Sequence, residues 1–224
     1  MKNTVTFEEF TKLKKSLLHL KEGEQEYHTI ESENSRVLVS APHGVGQVRL
    51  GKKKFAEPST IGIALALNNK TGCNTIIKVA NEHNDANFDM VSKFKTKMED
   101  MIIDHRIRFV LDIHSLASWR EELVNVGIYH GYLLQTQRKE SMLDVLIKFF
   151  EEQGLPVHFD QPFSAGPKTI TYYFGEGRKV FACQIEVNSK IFTKENETLM
   201  NGFIDAISNF IEWAENNVFL FFKD

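Results

Sequence analysis

The sequence predicts an α/β fold of three layers, with helices on both faces of a central mixed, largely parallel sheet. Two observations predict it. Short apolar runs typical of buried strands alternate along the chain with longer segments in which apolar residues recur at helical spacing. Polar residues, histidines among them, follow several of the apolar runs, which is where folds of this class place their ligands.

The elements can be assigned in order from periodicity and from the Gly, Pro and polar clusters that separate them. The predicted helices cover residues 7–20, 60–69, a segment ending near 104, 141–153 and 194–216. The predicted strands cover residues 27–30, 36–41, 75–80, 108–114, 123–128, 157–160 and 179–187. Ser59 or Thr60 would cap the second helix behind Pro58. Residues 162–177 are rich in Gly, Pro and Thr and predict an active-site or lid loop.

The chain has 224 residues, of which 42% are hydrophobic and 25% charged, as in an ordinary globular protein. No internal repeat or linker divides it. We therefore expect a single domain over residues 1–224, with residues 1–34 as an N-terminal helical and strand extension packed on it.

Charge and hydropathy exclude several classes of protein. The net charge of −3 argues against a nucleic-acid binder, and Lys52–Lys54 is interpreted as a local solvated loop. The sequence shows no signal peptide and no membrane-length apolar run, and Cys73 and Cys183 have no metal-ligand spacing. These features predict a soluble cytoplasmic protein. The apolar end NNVFLFFKD would pack onto the core or onto a partner subunit of a homo-oligomer.

Three polar residues stand at or just after the ends of predicted strands: His43, His114 and Glu186. The carboxyl ends of parallel strands meet along one edge of a sheet, so these side chains can converge. Two His and one carboxylate, with a fourth position left to water, form the ligand set of a catalytic zinc site. Such a site also needs a carboxylate as general base, and Glu57 and Glu186 are available to divide the two roles.

Each of these residues also has a structural interpretation. A lone His at a strand end is more often structural than metal-binding, and Glu57 is favourably placed at a helix N-terminus in any case. Asp112 can fix the tautomer of His43 or His114, or it can simply cap a strand end. Glu186 favours a function, because an acid within an apolar strand is costly to bury.

Seven segments between residues 37 and 192 occur in the order found in one known family: SAPHGVG, FAEPST, NDANFD, LDIHS, VGIYHG, PFSAGPKTITYYFG and CQIEVNSKIF. In this order they resemble the N-formylglutamate amidohydrolase family, which is related to zinc carboxypeptidases and succinylglutamate desuccinylases. The resemblance implies a phosphorylase/hydrolase-like fold, a zinc ion, and hydrolysis of an N-acyl amino acid to an acid and an amine. It implies that His43, Glu57 and His114 bind zinc and that Glu186 is the general base.

The chain departs from the family at one position that bears on the substrate. Family members usually follow the Asn with an Arg, whereas here Phe88 follows Asn87. In the related zinc carboxypeptidases that Asn-Arg pair is linked to gripping a substrate carboxylate, which an Arg can clamp and a Phe cannot. Either another basic residue takes its place, or the substrate differs. The candidates for substrate binding are Asn87 and three basic residues in loop-like segments, Arg120, Lys168 and Arg178, each of which can instead be a solvated surface charge.

The predicted partner is a small N-acyl amino acid or a short peptide, not a nucleic acid or a membrane. Two alternatives stay open at this point. One is a metallopeptidase or deacylase acting on a different amide, with Phe88 forming an apolar subsite. The other is a non-catalytic module that keeps the fold and binds a metal or ligand.

Overall fold

A computed structural model describes residues 4–18, 26–80, 83–135, 137–176 and 180–222. Its helices are α1 (Phe7–Ser16), α2 (Ser59–Thr71), α3 (Lys93–Asp104), α4 (Gln137–Glu152), α5 (Ile170–Gly175) and α6 (Glu197–Phe221). Its strands are β1 (Tyr27–Ile30), β2 (Val37–Ala41), β3 (Gln47–Arg49), β4 (Lys52–Lys54), β5 (Asn74–Lys78), β6 (Phe109–Leu116), β7 (Val124–Gly127), β8 (Val157–Phe159) and β9 (Phe181–Asn188).

In the described residues a seven-stranded sheet has the order β1-β5-β2-β6-β9-β7-β8. The four central strands β5, β2, β6 and β9 are parallel to one another. β1 is antiparallel to β5, and β7 is antiparallel to β9 while β8 runs parallel to β7. The sheet is therefore mixed and largely parallel, as predicted.

Helices cover both faces of this sheet, and the alternation along β6 shows how. Phe109, Leu111 and Ile113 face one hydrophobic cluster, to which α1, α2, α4 and α6 contribute. Val110 faces the opposite cluster, which includes side chains of α3 and α5. The predicted period of two is confirmed in this strand, and the three-layer fold class is confirmed with it.

Two local predictions near residue 57 are wrong. Lys52–Lys54 is not a loop but strand β4, which pairs with β3 in a small antiparallel hairpin. Neither Ser59 nor Thr60 caps α2, because Pro58 holds the capping position and no side chain bonds there. The Thr60 hydroxyl instead donates to the Glu57 carbonyl at 2.7 Å, which ties Glu57 to the first turn of the helix.

Several boundaries also differ from the prediction. α1 ends at Ser16 and not at residue 20, and residues 19–25 lie outside the described part of the chain. The short helix α5 lies within the predicted loop 162–177, where the Thr169 side chain accepts a hydrogen bond from Tyr172 N. α6 begins at Glu197 and continues to Phe221, beyond the predicted end.

The C-terminal apolar segment is divided between core and surface. The Phe222 ring lies edge-on to Phe109 with ring centroids 5.4 Å apart, whereas Phe219 and Leu220 are exposed. Among the helices of the described residues, none has the length and apolar character needed to cross a bilayer.

Candidate metal centre

The site lies where the adjacent parallel strands β2, β6 and β9 end. His43 follows β2 by two residues, and His114 on β6 stands beside Glu186 on β9 in the sheet register. All three residues line one pocket of about 420 Å³, and Glu57 lines it as well. The structure therefore brings together the residues that the strand-end pattern singled out.

His43, Glu57 and His114 form a compact group of possible metal ligands. The two Nδ1 atoms lie 3.2 Å apart, and His43 Nδ1 lies 2.9 Å from Glu57 Oε1. His114 Nδ1 lies 3.6 Å from Glu57 Oε2. One ligand atom from each residue falls within 4.8 Å of the others, which is close enough for all three to reach a single ion.

The backbone fixes the relative positions of His43 and Glu57. Glu57 N donates to the His43 carbonyl at 2.8 Å, and Ser115 N donates to Glu57 Oε2 at 2.9 Å. Gly44 lets the loop after β2 pack closely against the end of β5, because a Cβ at that position would lie 2.6 Å from the Lys78 carbonyl oxygen. The loop after β2 thus needs a glycine directly beside the first ligand.

A buried carboxylate stands behind each histidine. His43 Nε2 lies 3.0 Å from Asp85 Oδ1, and His114 Nε2 lies 3.1 Å from Asp112 Oδ2. Both carboxylates are fully buried. A carboxylate that accepts from the Nε2–H fixes the tautomer in which Nδ1 carries a lone pair for a metal. Asp112 was predicted to serve one of the two histidines and it contacts His114, whereas Asp85 was not among the predicted site residues.

The surrounding acids make this a site for positive charge. Burial lowers the pKa of His43, but the charge of Glu57 and the hydrogen bonds to Asp85 and Glu57 outweigh burial and leave the pKa raised. Burial likewise lowers the pKa of His114, and Asp112 is the main group that raises it well above its ordinary value. The same carboxylates that favour a charged imidazole would favour a metal cation between the two rings.

The pKa values of Glu57 and Glu186 are shifted in opposite directions. Burial raises the pKa of Glu57, but the charges and hydrogen bonds of His43 and His114 hold it at about 2. Burial raises the pKa of Glu186 to about 7 against the pull of His114. Gln184 Nε2 donates to Glu186 Oε1 at 2.9 Å. Glu57 is therefore ionised at neutral pH, and Glu186 is the carboxylate that can exchange a proton near neutral pH.

The donor set fits a divalent metal ion. Two imidazole nitrogens and one carboxylate oxygen converge, each held from behind by a hydrogen bond. Imidazole together with carboxylate is a common ligand combination for transition metals, and second partners of this kind orient such ligands.

The segment 162–169, predicted as part of an active-site loop, forms one wall of the pocket. Asn125 Nδ2 donates to the Phe163 carbonyl at 2.9 Å. The buried Lys95 Nζ donates to the carbonyls of Lys168 at 2.7 Å and Asp89 at 2.8 Å. The wall is thus attached to β7 on one side and to α3 on the other.

The predicted substrate-binding residues are dispersed. Asn87 lines the pocket, with its Nδ2 3.2 Å from His114 Nε2 and its Oδ1 accepting from Ile170 N at 2.8 Å. Arg120 does not line this pocket and lies in an adjoining cavity. Arg178 lies outside the described residues.

Two cations lie close to the ring of Phe88, which stands where the resemblance predicts an Arg; Arg49 lines the pocket and Lys168 is not among its lining residues. The Lys168 Nζ lies 4.4 Å from the ring centroid, and the Arg49 guanidinium carbon lies 5.1 Å from it. Arg49 Nε also donates to Asp85 Oδ2 at 2.7 Å. Arg49 was not predicted, because nothing in the local sequence distinguishes it from other basic residues of an exposed hairpin.

The model of one protein family matches residues 92–193, and that family is described as N-formylglutamate amidohydrolase. The predicted resemblance is confirmed. The matched range includes His114 and Glu186, while His43 and Glu57 precede it. The comparison with curated protein sequences found no match.

Three solved structures illustrate the shared fold. An N-formylglutamate amidohydrolase from Ralstonia eutropha is 11% identical with a TM-score of 0.55, over 85% of this chain and 97% of that one. A bacteriophage poly-gamma-glutamate hydrolase is 12% identical with a TM-score of 0.54, over 89% and 92%. A metallo-carboxypeptidase from Burkholderia cenocepacia is 12% identical with a TM-score of 0.52, over 92% and 69%. At these identities the likeness establishes the α/β fold, and the family match supports hydrolase activity.

Proposed function

We propose that this protein is a zinc-dependent amidohydrolase that cleaves the amide bond of an N-acyl amino acid of the N-formyl type. The observation that carries the proposal is the convergence of His43 Nδ1, His114 Nδ1 and a Glu57 oxygen in one pocket. Their outer nitrogens and oxygen are already engaged, so the inner atoms are available to an ion. Two histidines and one glutamate are the protein ligands of a known class of catalytic zinc site.

Zinc bound there would supply a Lewis acid for the scissile carbonyl and would lower the pKa of a water molecule. Glu186 takes a proton from the attacking water and passes it to the nitrogen of the departing amine. The C–N bond breaks as a C–O bond forms, so the products are one acid and one amine. Glu186 suits this role because it lies beside His114 in register and lines the same pocket.

Asn87 and two cations near Phe88 orient the substrate. The Asn87 amide lies in the pocket wall and can hydrogen-bond to the acyl amino acid. Lys168 and Arg49, both close to the Phe88 ring, supply the positive charge that the family's Arg would provide for a substrate carboxylate. We assign them this role in place of the single Arg.

The test combines metal content with turnover. The purified protein should hold about one zinc per chain, and His43→Ala and His114→Ala should each lose it. His105→Ala is the matched control, because His105 is also buried and lies 2.9 Å from Glu31 Oε2 but stands outside the ligand group. This control should retain the metal.

Glu186→Gln should keep zinc and lose roughly a hundredfold to ten-thousandfold in kcat on an N-acyl amino acid. Full turnover by a zinc-loaded Glu186→Gln protein would remove Glu186 from the mechanism. A panel of N-acyl amino acids and short peptides separates this function from a peptidase or deacylase that uses Phe88 as an apolar subsite. A metal-loaded protein that turns over none of them would be a binding module.

A further inference from the structure

A second cavity, of about 680 Å³, adjoins the metal centre. It shares four lining residues with the first pocket: Lys54, Glu57, Ser115 and Phe163. Because these residues line both spaces, the two cavities are neighbours that meet at Glu57. We call the second cavity the basic groove, and its further walls include Lys14, Lys53, Phe55, Trp119 and Arg120.

The basic groove concentrates positive charge in a chain whose net charge is −3. Four cations line it: Lys14, Lys53, Lys54 and Arg120. In the described part of the chain, Glu57 is the one acid among its lining residues, and that carboxylate is already bound to Ser115 N and the two histidines. Within the same residues no carboxylate lies within 4.0 Å of the four cations. Their charge is therefore available to an anionic ligand.

Aromatic rings are exposed beside these cations. Phe55 is 97% exposed and Trp119 is 77% exposed, which is unusual for large apolar side chains. The Arg120 guanidinium carbon lies 4.7 Å from the Trp119 ring centroid and 5.5 Å from that of Phe163. A cation close to two aromatic rings, one of which also lines the inner pocket, is arranged for a ligand with apolar and anionic parts.

We propose that the basic groove binds the continuing chain of an acidic peptide whose scissile amide lies at the metal centre. This inference rests on the amide hydrolysis at the metal centre that forms the core of the proposed function, and it extends the acyl part of the substrate from a formyl group to a chain of acidic residues. The side-chain carboxylates pair with the four cations, and the backbone and methylene groups pack on Trp119 and Phe55. A single acyl amino acid would occupy the inner pocket and leave the basic groove empty.

A binding assay on a form that does not turn the peptide over tests this directly. Zinc-loaded Glu186→Gln is titrated with penta-glutamate, and penta-glutamine serves as the uncharged ligand of equal length. The chain has two tryptophans. Trp213 packs on Phe210 and Phe221, whereas Trp119 is exposed in the groove, so a blue shift in emission reports contact at Trp119. Trp119→Phe should abolish the shift, and metal-stripped wild type serves as a second form that does not hydrolyse the peptide.

We expect penta-glutamate to bind at least about tenfold more tightly than penta-glutamine, with an affinity that falls as salt rises. The double variant Lys53→Glu/Arg120→Glu should lose at least about tenfold in affinity for penta-glutamate. Lys148→Glu on α4 is a single charge reversal away from the groove and should leave the affinity for penta-glutamate unchanged, whereas Lys53→Glu alone should already lower it.

Equal affinity for penta-glutamate and penta-glutamine would overturn the proposal. So would a loss of penta-glutamate affinity in Lys148→Glu as large as that in the groove variants. Tighter binding of an oligonucleotide or an oligosaccharide than of penta-glutamate would also overturn it. Zinc content and turnover of N-formylglutamate are measured separately on the wild type. Turnover of N-formylglutamate without binding of penta-glutamate would refute only the proposed role of the basic groove. Binding of penta-glutamate without bound zinc or turnover would support that role and refute the proposed function.

Discussion

Replacing Asp85 by Asn should weaken metal binding although Asp85 is not itself one of the three proposed ligands. Asp85 Oδ1 accepts from Asn87 N at 3.0 Å and lies 3.0 Å from His43 Nε2, while Oδ2 accepts from Arg49 Nε at 2.7 Å. An Asn side chain can keep an oxygen on the His43 side. It then places its own N–H groups opposite Arg49, which must turn away.

The expected loss of zinc affinity follows from the contacts of Asp85 that each variant keeps and those that it removes. Loss of a partner behind a metal-binding histidine costs about tenfold to hundredfold in metal affinity. Asp85→Asn keeps the geometry at His43 but removes a fully buried charge, so we expect the lower half of that range, about tenfold to thirtyfold. That factor corresponds to about 1.4–2.0 kcal/mol. Asp85→Ala also removes the acceptor and should reach about hundredfold.

The assay is zinc competition against a chromophoric chelator, with the folded state of each variant checked by circular dichroism. Glu31→Gln is the control, because Glu31 also faces a histidine, His105, but stands away from the ligand group. An Asp85→Asn affinity within about twofold of wild type would refute the reasoning. So would an equal loss in the Glu31→Gln protein.

Three further outcomes are expected. Gly44→Ala should reduce the free energy of unfolding in urea by about 1–3 kcal/mol, because its Cβ would lie 2.6 Å from a backbone carbonyl of β5. Gly46→Ala, whose nearest atom would lie 3.5 Å away, should be close to neutral. The hydrogen bond from Lys97 is the main cause that holds the pKa of Glu31 at about 2, below the ordinary 4.5. Its stabilisation is therefore present above pH 4.5 and is lost as pH falls toward 2. Since Glu31 is one-third exposed, urea unfolding of Glu31→Gln should show a deficit of only about 1 kcal/mol at neutral pH. That deficit should shrink in acid, and one that does not change with pH would contradict the assignment. Lys168→Met should raise KM for N-acyl glutamate by about tenfold and leave KM for a neutral N-acyl amino acid unchanged in steady-state assays.

The sequence was sufficient to predict the layers and the edge of the sheet at which the site lies. Strand periodicity placed Asp112 and His114 on the same face of β6, and the structure agrees. The positions of His43 and Glu186 at the ends of parallel strands predicted their convergence, because neighbouring parallel strands end at the same edge.

The parts that escaped prediction depend on tertiary contacts. Three consecutive lysines have low strand propensity, so nothing local indicated that Lys52–Lys54 pairs with β3. Arg49 could not be assigned to the site from the sequence, because it reaches Asp85 only through that hairpin. The helix α5 had a local signal, since Thr169 precedes it as a cap, but six residues are too few for a helical period to stand out.

Both histidines turn Nδ1, and not Nε2, toward the ligand group. Nδ1 is bonded to the ring carbon that carries Cβ, so little side-chain length separates this donor atom from the main chain. The last pair of the β2–β6 ladder, Ser40 and Asp112, lies three residues before His43 and two before His114. The distance between the two donors therefore depends on the spacing of these neighbouring strands, about 4.8 Å, and on the short stretch of backbone that leads from the ladder to His43. A change in sheet twist at this point would alter which ionic radius the site accepts, even with every ligand residue retained.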